Sequence, residues 1–166
     1  MILTSLTIGG CSQDVPPVST EKSIASADSS TVPKEFDSQQ RPTVNRKLLF
    51  SCMTENGQEI LLFETDETID YSFGKPGKKP ELNLKVPRNR ASTWQWKGMG
   101  RVENYWVEIP HEDLSYQVVW ERDRLSEKNE INAGVAVRRD QKTITASYCK
   151  GKIVNNLQGV KLKTKD

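Results

Sequence analysis

Polar and apolar residues alternate along most of this chain, with a period of two. Ile69, Tyr71 and Phe73 share one face of TIDYSF, and Leu82, Leu84 and Val86 share one face of ELNLKVP, with Asn83 and Lys85 turned outward. The same alternation aligns Tyr105, Val107 and Ile109 in NYWVEI, leaving Trp106 on the opposite side, and Leu114, Tyr116, Val118 and Trp120 in LSYQVVWE. Such a pattern marks half-buried β-strand. Two more apolar runs, Lys47–Met53 and Gln58–Glu64, flank an Asn56-Gly57 pair. Asn-Gly readily takes the positive φ angles that a tight hairpin requires. Further strands are expected at Ser92–Lys97, Ala133–Arg139 and Lys142–Cys149, with a weak closing strand at Val160–Thr164.

The helix-like segment Arg122–Glu130 is polar all round, so it reads as a surface turn or a single short helix. Lys150–Gly159, KGKIVNNLQG, reads as a wide loop before the last strand. The expected fold is therefore all-β, an antiparallel barrel or sandwich of eight or nine strands over residues 47–166. Ahead of it, residues 11–46 are rich in Ser, Thr, Pro and Gln with Phe36 as the single aromatic. That composition buries too little apolar surface to offset the entropy of ordering, which makes the segment a flexible stalk.

Composition narrows the chemistry. The 166 residues carry a net charge of +2 and one histidine, His111, in a Pro-His-Glu-Asp turn. Neither GxSxG nor HExxH occurs, and GKPGKK at 74–79 lacks the spacing of a phosphate-binding loop. No catalytic residue, metal site or cofactor is expected. Charge is nonetheless segregated. Residues 74–101 hold Lys75, Lys78, Lys79, Lys85, Arg88, Arg90, Lys97 and Arg101 against Glu81 alone, a balance of +7, so the rest of the chain carries −5. A positive face of this kind steers an acidic partner, and arginine beside tryptophan is the composition of protein-interface hot spots. The expected partner-binding residues are Lys75, Lys78, Lys79, Arg88, Arg90, Arg101 and Trp106.

The first residues, MILTSLTIGGCS, set an apolar run and two small residues before Cys11. This resembles the lipobox of bacterial lipoproteins. The resemblance implies that residues 1–10 are the remnant of a signal segment, that Cys11 carries the lipid, and that the protein sits in the periplasm, anchored to a membrane of the cell envelope. No Lys or Arg precedes the apolar run, a departure from the usual signal. With Cys11 lipidated, Cys52 and Cys149 make an even pair in an oxidising compartment, expected as a disulfide, with two separate buried thiols as the alternative.

Lipobox, polar stalk and small all-β domain together are similar in plan to two groups, the lipoprotein inhibitors of c-type lysozyme and the immunity lipoproteins of type VI secretion. Tyr148-Cys149-Lys150-Gly151 matches the C-terminal element of the lysozyme inhibitors poorly, and their SGxxY element is absent. The resemblance favours an immunity protein: a non-enzymatic domain that occludes the active site of an envelope-degrading enzyme. Its partner would be a toxin or hydrolase, and nucleic acid is not expected. The competing expectations are an envelope-binding lipoprotein whose basic face meets peptidoglycan, lipopolysaccharide or anionic lipid, and a β-barrel with a cavity for a small ligand.

Overall fold

The computed structural model of the protein describes residues 45–165. Cys11 and most of the stalk lie outside the described residues. The strands are β1 (Lys47–Thr54), β2 (Glu59–Glu64), β3 (Thr68–Gly74), β4 (Leu82–Pro87), β5 (Ser92–Gln95), β6 (Val102–His111), β7 (Leu114–Asp123), β8 (Ile131–Arg139), β9 (Lys142–Asn155) and β10 (Lys163–Thr164). They form one sheet in the order β10-β5-β6-β7-β8-β9-β1-β2-β3-β4, curled into a half-barrel. The expected antiparallel all-β fold takes the form of this one curled sheet, and the count is ten because β10 adds a two-residue strand parallel to β5. All other pairings are antiparallel.

The alternation seen in the sequence becomes the inside and outside of the curl. Register sets Val107 opposite Val118 and Val118 opposite Val135, all buried. Ile60 lies opposite Phe73, and Leu62 opposite both Phe50 and Tyr71. Tyr71 and Tyr116 meet in the interior at 5.6 Å between ring centroids. Aromatic and β-branched side chains thus occupy the concave side as a packed core.

Arg122–Glu130 takes the first of its two expected forms, a surface turn: Arg122 and Asp123 end β7, and residues 124–130 turn into β8. One feature of the C-terminal third departs from expectation. Residues 150–155, expected in a loop, continue β9, whose first part pairs with β8 and whose second pairs with β1. A register shift falls where Cys52 and Met53 of β1 meet Ile153 and Lys150 of β9. The polar Lys150-Gly151-Lys152 tripeptide forms the bulge, and it hid the strand by breaking the period of two.

Beyond Asn155 the chain crosses from β1 to β5. Asn156 donates from its backbone to the Leu49 carbonyl at 2.8 Å, and Leu157 and Val160 are buried. Gln95 receives this strap, its Nε2 donating to the Leu157 carbonyl at 3.0 Å and its Oε1 accepting from the Gly159 amide at 2.8 Å. Cys52 and Cys149 are joined by a disulfide between the neighbouring strands β1 and β9, across a sequence separation of 97. On the loop-entropy account, closing a loop of that length contributes about 4–5 kcal/mol.

Candidate functional site

The residues expected to bind a partner do not gather on one surface. Lys75, Lys78 and Lys79 are exposed together in the β3–β4 loop, where the Lys78 amide donates to the Lys75 carbonyl at 3.1 Å. Arg90 is exposed in the short link from β4 to β5, and Trp106 is half-buried on the convex face of β6. Arg88 is occupied within the fold. Its guanidinium bonds the Glu64 carboxylate and donates to the Lys161 carbonyl at 2.8 Å and the Thr65 carbonyl at 3.3 Å. Arg101 is likewise held by Asp123, Nη2 to Oδ2 at 2.6 Å and Nε to Oδ2 at 2.9 Å. Folding brings acids from elsewhere in the chain to two of the eight cations of residues 74–101, Arg88 and Arg101.

A different cluster forms where the β5–β6 and β7–β8 connections meet. The Arg124 amide donates to the Arg101 carbonyl at 3.0 Å, and the Asp123 carboxylate caps the Leu125 amide at 2.9 Å. The Arg124 guanidinium lies 4.7 Å from the Trp96 ring centroid, and Trp96 Nε1 donates to the Met99 carbonyl at 2.7 Å. Met99 stands between Gly98 and Gly100, whose φ angles of 84° and 92° make a turn that few other residues could form. The result is an apolar rim. Met99 is 78% exposed and Leu125 74%, with Val102 and Ile131 also exposed.

Beside this rim lies a depression of about 390 Å³, lined by Val102, Ile131, Glu121, Asp123, Glu130 and Asn132. Three of those six are carboxylates; Asp123 is paired with Arg101, so the acidic character of the depression comes from Glu121 and Glu130. The bidentate hydrogen bonding from Arg101 holds the Asp123 carboxyl below the usual range, so it stays ionised into acid. Behind the rim, Arg122 pairs with Glu103 at 2.5 Å, and Tyr105 donates its hydroxyl to the same carboxylate at 3.1 Å. Burial, reinforced by Glu103, raises the Tyr105 pKa.

Sequence reasoning missed Met99, Leu125 and Ile131. The available signal was an apolar residue isolated in a polar loop: Met99 between glycines, and Leu125 within RDRLSEKNE. His111 sits half-buried at the end of β6. Among the described residues no group of three or more His, Cys, Asp or Glu side chains could hold a metal ion. No protein family matches the chain, and neither a curated protein nor a solved structure is similar to it.

Proposed function

We propose that this protein is a non-enzymatic binding protein of the bacterial cell envelope that inhibits an envelope-degrading enzyme by covering its active site. The observation that carries this reading is the rim of Met99, Val102, Leu125 and Ile131 beside the Trp96–Arg124 stack. Exposed apolar side chains grouped on loop tips, backed by tryptophan and arginine, have the composition of an interface centre. The scaffold behind them is a disulfide-closed sheet, which lowers the ordering cost of binding. The acidic depression next to the rim suits a partner that offers arginine or lysine, so the favoured contact is apolar and anionic, in place of the basic face. Lipid on Cys11 would keep the inhibitor where such an enzyme arrives. Against a small-ligand carrier stands the concave side, filled by Phe50, Leu62, Tyr71, Val107 and Val118.

The test is inhibition of envelope-degrading enzymes, a lipase, an amidase and a muramidase among them and with any such enzyme encoded by a neighbouring gene included, assayed on isolated cell walls or membranes. Wild-type protein is expected to inhibit at near-equimolar ratio, and Met99→Asp with Leu125→Asp to abolish inhibition while the circular dichroism spectrum is retained. Full inhibition by that double variant would defeat the reading. A second reading rests on the exposed Lys75, Lys78 and Lys79 loop, which suits anionic envelope polymers or lipid. Salt-sensitive sedimentation with anionic vesicles, lost on neutralising the three lysines, would favour it.

A further inference from the structure

The turn that carries Met99 is held by its backbone, and its side chain takes no part. Three consecutive carbonyls, those of Met99, Gly100 and Arg101, each accept a hydrogen bond from Trp96 or Arg124. Trp96 Nε1 donates to Met99 at 2.7 Å, Arg124 Nη1 to Gly100 at 3.4 Å, and the Arg124 amide to Arg101 at 3.0 Å. Trp96 itself packs against the core, and the Arg124 guanidinium lies 4.7 Å from its ring centroid. Asp123, the neighbour of Arg124, grips the Arg101 side chain from the facing connection. All three residues of the turn are exposed, so water could serve their carbonyls. The clamp therefore orders the tip where burial does not demand it.

Met99 also projects alone. A Cβ at Gly98 or at Gly100 would meet nothing within 4 Å, so there is open space on both sides of the methionine. The two glycines put no side chain into it, and nothing beside Met99 limits how deeply it can enter a partner. Leu125, by contrast, stands between Arg124 and Ser126 in its own connection. Methionine is unbranched and flexible in its side chain, which lets it follow a narrow apolar cavity. Val102, Leu125 and Ile131 then form a collar of exposed aliphatic groups around the tip.

We propose that Met99 is the anchor of the inhibitor, entering a narrow apolar pocket of the target enzyme, and that Trp96 and Arg124 are positioning residues that hold it ready before the enzyme arrives. The proposal rests on the inhibitor reading and assigns the roles within it. A loop ordered beforehand loses less conformational entropy on association. One deeply inserted side chain, ringed by apolar neighbours that exclude water, is the pattern of an interface hot spot. Trp96 and Arg124 act through the backbone of the turn, so their loss loosens the anchor without removing it.

The experiment has two readouts. NMR relaxation and amide exchange of Met99 and Gly100 in the full chain alone report the order of the turn, and inhibition of the lipase, amidase and muramidase reports binding. The wild-type turn is expected to be as ordered as the strands beside it. Trp96→Phe keeps a ring against the core and removes the donor, while Arg124→Ala alters an exposed position. Each is expected to mobilise the turn, to leave the urea midpoint close to wild type and to weaken inhibition roughly ten-fold. Met99→Ala is expected to weaken it about thirty-fold with the order of the turn unchanged. Met99→Leu should retain inhibition, and Met99→Gln, of similar length but polar, should lose it. If the wild type inhibits no enzyme, the inhibitor reading fails and the anchor with it. A turn that is mobile in the free wild type, or that stays ordered in both Trp96→Phe and Arg124→Ala, overturns the positioning role by itself. Undiminished inhibition by Met99→Ala overturns the anchor while leaving the inhibitor reading in place.

Discussion

Arg88 and Glu64 are bonded past β3 at one end of the sheet, twenty-four residues apart in sequence. Glu64 ends β2, while Arg88 follows β4 and also reaches the carbonyl of Lys161 in the C-terminal strap. One guanidinium thereby joins the β2–β3 turn to the segment that leads into β10. An open sheet has two edges, and the strands beside those edges are tied through this side chain. Arg88→Ala is expected to destabilise the fold by about 1–3 kcal/mol, because a partly buried carboxylate and a carbonyl lose a charged donor. Urea denaturation measures it. An unchanged midpoint would show the clasp to be ornamental.

The Cys52–Cys149 bridge acts on the unfolded chain. Replacing both cysteines by alanine, or reducing the wild type, should cost about 4–5 kcal/mol by loss of the loop constraint. The denaturation midpoint should fall while the slope stays close to that of the oxidised protein, unless the reduced unfolded chain is more expanded. A midpoint that ignores reductant would mean the bridge is not formed in solution.

Tyr71 gives the alkaline limit. Its hydroxyl lies in the core, and burial, with a smaller contribution from Tyr116, raises its pKa well above the ordinary value of 10.0. Because the folded value exceeds the unfolded one, this contribution is fully present below about pH 10 and is lost as pH rises beyond it. Tyr71→Phe should remove part of that alkaline loss, read from denaturation midpoints between neutral and strongly alkaline pH. Asp123 is the opposite case. Its lowered pKa makes the Arg101 contact persist until pH falls below the usual carboxylate range, so an NMR titration should show an unusually acidic midpoint that Arg101→Ala raises, the Leu125 amide continuing to favour the carboxylate.

The strands were legible because their chemistry is local. A period of two over TIDYSF or LSYQVVWE needs no knowledge of the partner strand. The register, the curl and the parallel β10 were hidden because they depend on contacts between distant residues, such as Gln95 with Leu157. The partners of two candidate site residues were hidden for the same reason. Arg88 and Arg101 look free in sequence, and only folding sets Glu64 and Asp123 against them. Met99 and Leu125 look like incidental loop residues until the two connections are seen side by side. Charge counted along a chain says little about charge across a surface.

Gln95 should control the C-terminal strap. Its side chain spends both amide protons, on Thr93 Oγ1 at 2.9 Å and the Leu157 carbonyl at 3.0 Å, and accepts from the Gly159 amide at 2.8 Å. Thr93 passes the chain of hydrogen bonds on to the Trp106 carbonyl at 2.7 Å. Gln95→Ala leaves part-buried backbone groups without partners, a cost of about 1–3 kcal/mol. The strap is otherwise retained by burial of Leu157 and Val160 and by Lys165, whose ammonium sits 2.6 Å from the Glu108 carboxylate. The loss should therefore appear first as local opening. Amide exchange of Gly159, Val160 and Lys165 is expected to accelerate while β6 and β7 stay protected. Acceleration spread evenly over the sheet would instead make the strap part of a single cooperative unit, with Gln95 contributing to global stability.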